Sequence, residues 1–358
     1  MWSQNLFFVK TAKLFLLLGF VSGAGGIFGC APAVIQTTAL IPAKSHEASL
    51  LKVVAVLPFE GDGGENFAAE VEAELAAVNI GDKQYFTIVD RAKITKVLDE
   101  ETTLAQSGFA DPSTVAKIGG MLGAKGVYTG VITASHANDS NYTDVRKDCV
   151  QHIVRYTEKG SAYKGECISW SHYTVPCTKR TVVFAFAPKL IEVETGRIVY
   201  AGNYEEKQSS LACSDSSTPI HGSYELLGEA KQFALNRFRQ DVAPHYVTFN
   251  ISIMDSTDGI TSKQAINKFK DGLAFAKNNR FDRACELWGE ARIITEGSVS
   301  LIYNLGACSE ISGEYEQALD LYEKADRLYN KPDDMITSAL QRVANTLGQQ
   351  KKLKEQIQ

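Results

Sequence analysis

Five side chains in one stretch hold the chain's most reactive ligand chemistry: Cys149, His152, Cys167, His172 and Cys177. Thiolate sulfur and imidazole nitrogen are the donors of tetrahedral zinc sites. Such sites use tight Cys-x-x-Cys and His-x-x-x-His pairs, whereas the intervals here are irregular. The competing chemistry is oxidation. Cys149, Cys167, Cys177 and Cys213 can close two disulfides in any of three connectivities. Redox compartment decides between the two, because thiolates do not stay reduced easily outside the cytoplasm. Other reactive constellations are thin. Gly61-Asp62-Gly63-Gly64 precedes a helix start and offers free backbone N–H groups to an anion. It lacks the lysine and hydroxyl of a P-loop and the ordered glycines of a dinucleotide fingerprint, so it reads as a flexible strand-to-helix loop. Neither a Gly-x-Ser-x-Gly elbow nor a His-Glu-x-x-His helix occurs. The expectation is a protein with no catalytic residues, no cofactor and no metal.

The N-terminus answers the question of compartment. Lys10 and Lys13 precede the apolar stretch Leu14 to Val21, and small residues then lead to Gly26-Ile27-Phe28-Gly29-Cys30. That is the three-part layout of a secretory signal. Its end resembles a bacterial lipobox, which implies removal of residues 1–29 and lipidation of Cys30. Acyl chains contribute ~0.8 kcal/mol per buried CH₂, enough for several on one cysteine to hold a protein on a membrane. By the same resemblance, Ala31 after the cysteine favours the outer membrane, on its periplasmic face. Residues 30–50 carry two prolines and no clear periodicity, and read as a tether reaching ~60 Å at about 3.3 Å per residue. With Cys30 acylated, six of the seven cysteines remain, an even number in an oxidising compartment. Disulfides are therefore expected at Cys149, Cys167, Cys177 and Cys213. Cys285 and Cys308 receive no assigned role.

Length and charge bound the rest. A chain of 358 residues implies about two domains. A net charge of −5 speaks against nucleic acid as a partner. No apolar run approaches the ~20 residues of a spanning helix.

Strand and helix patterns alternate from residue 51 to residue 250. Lys52 to Leu57 is a short apolar run stopped by Pro58, and Phe67, Val71, Leu75 and Val78 recur at helical spacing. Tyr85 to Val89 predicts a second strand. Asp90 and Asp111-Pro112 start two more helices. Val127 to Thr133 is a third strand. A polar insertion, 134–180, follows. Thr181 to Val193 and Ile198 to Ala201 then form a hairpin, and Ser223 to Asp241 closes the unit as a helix. This order predicts an α/β mixed sheet with flanking helices.

Here particular residues carry a resemblance. Val54-Ala55-Val56-Leu57-Pro58-Phe59, Phe86-Thr87-Ile88-Val89-Asp90-Arg91, Gly119 with Leu122-Gly123-Ala124, Thr129-Gly130 and Ile191 to Gly196 occur in the order found in CsgG-type outer-membrane lipoproteins. The resemblance spans about Lys52 to Val242. It implies the family's periplasmic fold and a role in curli-type secretion, surface-structure assembly, or partnership with a cell-wall synthase. It also implies envelope or secreted proteins as partners and a homo-oligomeric ring. A family pore donates hairpins with an apolar lipid face. The insertion 134–180 shows little alternation and many charges, so it is expected to be a folded, cross-linked flap and not a pore wall.

Past a polar linker, 251–262, a repeat begins. Gly272 and Gly306, Phe281 and Tyr315, Ala284 and Ala318, Trp288 and Tyr322, and Ala291 and Ala325 all stand 34 apart. That is the period of tetratricopeptide repeats, which residues 263–358 resemble. By resemblance, the concave face exposes Phe269, Leu273, Lys277, Tyr303, Ala307 and Glu310 to a partner. The alternative is that these helices only pack against the first domain. Residues 333–358 supply a last helix that either caps the repeats in solvent or docks on that domain.

Overall fold

The computed structural model describes residues 34–100 and 111–358; the signal segment and Cys30 lie outside them. Strand β1 (Val34–Ile41) pairs antiparallel with the last strand, β10 (His245–Ser252), in unbroken register from Val34↔Ser252 to Ile41↔His245. This corrects the expectation of a free tether over 30–50. Ile35 and Ala39 alternate with exposed neighbours, a period-two pattern that acquires meaning only beside a partner 200 residues away. Ser45 then caps a short helix, α1 (His46–Leu50), by accepting from Ala48 N.

The central sheet is mixed, as expected. β2 (Val53–Val56) lies between β5 (Thr87–Ile88) and β6 (Gly126–Tyr156), both parallel to it. β7 (Ala162–Glu192) runs antiparallel to β6, and β8 (Ile198–Ala201) and β9 (Tyr204–Cys213) pair with different stretches of β7. Helices α2 (Gly64–Ala76) and α5 (Ser223–Val242) cover one face. There Phe67, Phe184, Phe186, Tyr204 and Phe238 form an aromatic nucleus, with Phe67 and Phe186 centroids 4.9 Å apart. Helices α3 (Arg91–Glu100) and α4 (Pro112–Leu122) cover the other, burying Ile94, Val115, Ile118 and Leu122 against Leu57, Val127 and Ile191. Between α2 and β5, β3 (Asn79–Ile80) and β4 (Lys83–Gln84) make a small hairpin.

The insertion 134–180 is not a separate flap. β6 and β7 pair continuously from Gly126↔Glu192 to Tyr156↔Ala162, with a few register shifts. β9 accompanies β7 only as far as Cys177↔Cys213. Past that rung the ribbon has two strands only; Val175 is still buried, and farther out its residues are half-buried or exposed.

Residues 251–262 are likewise not a loose linker. Ile251, Ile253 and Ile260 are buried in the core of the helical unit. That unit comprises α6 (Lys263–Lys277), α7 (Phe281–Ile294), α8 (Val299–Ile311), α9 (Tyr315–Tyr329) and the 24-residue α10 (Asp334–Ile357).

Candidate functional site

The hairpin is braced by sulfur. Cys149 is bonded to Cys167 and Cys177 to Cys213, one of the three connectivities open to these cysteines. The first closes β6 on β7 and the second ties β7 to the end of β9. Asp144, Cys177 and Cys213 bring their ligand atoms within 4.8 Å of one another. The two sulfurs are bonded together, which leaves one carboxylate as a free donor. His152 turns its Nδ1 to the Gly165 carbonyl at 3.1 Å.

Charged groups knit the same region. Arg180 makes two bonds to Asp139, at 2.8 and 2.7 Å, and these hold the Asp139 carboxyl below its ordinary value. Arg146 bonds Asp215 at 3.0 Å and also reaches Asp144. The Lys147 ammonium lies 4.6 Å from the Trp170 ring centre. Several large side chains stay exposed along the distal ribbon: Tyr156 at 70 %, Ile168 at 54 % and Trp170 at 46 %. Composition had marked this stretch only as polar; its aromatics gain a common setting from the pairing of β6 with β7.

In the helical unit, packing repeats with the 34-residue offset. A Cβ on Gly272 would run into the Trp288 ring, and one on Gly306 would come within 2.8 Å of Tyr322. Each glycine lets an aromatic of the following helix lie against its own backbone. Cys285 is bonded to Cys308, joining α7 to α8, a role that sequence reasoning left open.

Four of the six concave-face candidates, Phe269, Tyr303, Ala307 and Glu310, are buried and not available to a partner, and Leu273 is half-buried. Tyr303 is 1 % exposed and packs its ring 5.1 Å from that of Tyr322; burial pushes its hydroxyl up to about 12. Phe269 is buried, and its carbonyl accepts from Trp288 Nε1 at 3.1 Å. Glu310 is buried and accepts from Arg342 Nε and Nη2, at 2.6 and 2.9 Å, and from the Tyr322 hydroxyl at 2.8 Å. Lys277 alone is exposed.

What fills the space is the chain itself. Asn304, fully buried on α8, reads the backbone of Met254: the Met254 N–H donates to Oδ1 at 3.0 Å and Nδ2 donates to the Met254 carbonyl at 2.9 Å. The extended segment after β10 thus lies against the first helix of the second pair. Sequence reasoning missed Asn304. Its only signal was a polar residue set inside Leu301-Ile302-Tyr303 and Leu305.

The helical unit also grips the sheet domain. Gln356 donates to and accepts from the Ala43 backbone, and its own carbonyl accepts from Tyr85 OH at 3.2 Å and from Lys52. The Lys52 ammonium sits 3.4 Å from the Tyr85 ring centre, and burial lowers its pKa to about 8. Of the two outcomes for residues 333–358, the helix docks.

No family model matches the sequence, and no curated protein does. Solved structures with partial likeness include the LpoB C-terminal domain from Salmonella enterica, at 15 % identity and TM-score 0.25, covering 44 % of this chain and 83 % of that one. Lipoprotein GNA1162 from Neisseria meningitidis has 13 % identity and TM-score 0.25, over 52 % and 96 % of the two chains. A PelC dodecamer from Paraburkholderia phytofirmans has 13 % identity and TM-score 0.24, over 59 % and 99 %. One is a lipoprotein and one an oligomer. Likeness at this level decides neither fold nor function. Among the described residues, no helix is long and apolar enough to cross a membrane.

Proposed function

We propose that this chain is a non-catalytic, lipid-anchored binding protein of the bacterial envelope, held through Cys30 at the periplasmic face of the outer membrane. Its α/β unit is read as a CsgG-like domain and its helix pairs as tetratricopeptide-like repeats. One observation carries the choice of contact element. Past the Cys177–Cys213 rung, β6 and β7 continue alone, stapled by Cys149–Cys167, with Tyr156, Ile168 and Trp170 exposed. A two-stranded ribbon is marginal in water unless something else holds it. A disulfide that holds it while leaving aromatics in solvent suits a docking arm, since aromatic anchors carry much of the energy of protein interfaces.

The arm favours contact with an envelope-biogenesis enzyme, such as a cell-wall synthase, over a secretion pore or surface-structure assembly. Arg155, Glu158, Lys159, Lys164 and Glu166 are all exposed around its tip, a charge density that suits contact with a protein better than a lipid-facing barrel wall. Ring assembly through the sheet domain is compatible with either role. Photo-crosslinking in intact cells from position 170, with position 277 as the control, tests the reading. It expects an envelope-biogenesis enzyme cross-linked from 170 only. Capture from 277 alone would return the binding role to the helices.

A further inference from the structure

We infer that the exposed face of the β1–β10 ribbon lies against the lipid leaflet that holds the anchor, so that the fold is pressed on the membrane and not suspended below it. This rests on acylation of Cys30. Four Cα–Cα steps separate Cys30 from Val34, the first residue of β1, and at about 3.8 Å each they span at most about 15 Å. The ~60 Å tether does not exist, because Val34 to Ile41 is committed to the ribbon. An acyl-bearing cysteine sits at headgroup level, so the ribbon starts within that distance of the bilayer.

The composition of the ribbon says which way it lies. Neither β1 (VIQTTALI) nor β10 (HYVTFNIS) contains Lys, Arg, Asp or Glu, in a chain that is 22 % charged. One face buries Ile35, Ala39 and Ile251 against the rest of the protein. The other presents Val34, Gln36, Thr38, Tyr246, Thr248 and Asn250 to solvent, with Tyr246 57 % exposed. A face of hydroxyls, amides and one tyrosine can enter the headgroup layer without desolvating an ion. Tyrosine is favoured at that depth, with its ring toward acyl chains and its hydroxyl toward water. A ribbon standing on its end would need none of this. The uncharged face runs its whole length.

The test uses Thr248→Cys in the full-length protein. Thr248 pairs with Thr38 and lies well along the ribbon from the anchored end. The six mature cysteines other than Cys30 are in disulfides, so the new thiol takes an environment-sensitive fluorophore alone. The acylated protein is placed in vesicles of phosphatidylethanolamine and phosphatidylglycerol. Loss of fluorescence to a headgroup-level lipid nitroxide is expected, together with protection from an aqueous quencher. The labelled Cys30→Ser form in buffer should show neither. Intact mass showing acyl chains on Cys30, with the label still open to the aqueous quencher, overturns the inference and leaves the anchor standing. Absence of acyl mass overturns the anchor itself and the inference with it. Shielding of the soluble form that grows with protein concentration assigns the face to a second copy instead, and also overturns it.

Discussion

The side-chain amide of Gln356 forms a two-way pair with the backbone of Ala43, accepting from its N–H at 2.8 Å and donating to its carbonyl at 3.3 Å. Residues near opposite ends of the chain thereby close the sheet domain onto the last turn of α10. Gln356 is fully buried, so its amide has no water to fall back on. Gln356→Ala leaves both Ala43 groups short of partners and should cost about 1–3 kcal/mol in urea unfolding. Gln356→Glu should be at least as damaging, because the Ala43 carbonyl would then face a carboxylate. An unchanged midpoint for both variants would mean that the junction is loose.

Lys52 gives this junction a pH signature. Burial lowers its folded pKa to about 8 from the ordinary 10.5. Between those values the unfolded chain binds a proton that the folded chain does not, so the contribution of Lys52 to stability rises with pH over that window. Wild type should gain melting temperature relative to Lys52→Met between about pH 8 and about pH 10. Parallel curves would show that Lys52 keeps its proton in the fold.

Glu310 is predicted to be a structural carboxylate and not a partner's ligand. Glu310→Gln would deprive the part-buried Arg342 of its counter-charge, a change that costs about 3–5 kcal/mol in fully buried pairs and somewhat less here. Tyr303→Ala should cost ~3–5 kcal/mol as a lost core aromatic. Lys277→Ala should leave the unfolding free energy within about 0.5 kcal/mol of wild type, and the melting temperature nearly unchanged. Equal melting temperatures for Tyr303→Ala and Lys277→Ala would contradict the buried placement.

Each hairpin disulfide should stabilise by ~2–4 kcal/mol, with the bridged residues 18 apart in one case and 36 in the other. Paired replacement of Cys149 and Cys167 by serine should open the distal ribbon to proteases while the sheet domain keeps its cooperative melt. Non-reduced peptide mapping should return the 149–167, 177–213 and 285–308 pairs. Stoichiometric zinc with free thiols would refute this pairing.

Cys30→Ser should leave the melting temperature unchanged and move the protein from the membrane fraction to the soluble periplasm. Continued sedimentation with outer membrane would mean that a surface other than the acyl chains holds it.

Whatever depends only on neighbours along the chain was legible in the residues alone. Helix faces such as Phe67-Val71-Leu75, the mixed α/β class, the 34-residue offset and the even cysteine count all follow from short-range periodicity or simple arithmetic. Tertiary structure decided which of these faces were already taken. β1 has a partner only because Ser252 returns beside Val34, and β9 is a strand only because β7 runs past it. Tyr303 and Glu310 fit an open concave surface until Tyr322, Arg342 and the Met254 backbone arrive to cover it. Helical spacing shows that a residue lies on a given face but not what lies opposite. The pairing of Cys149 with Cys167 was likewise hidden, because disulfide choice depends on cross-strand distance, and register exists only once both strands are in place.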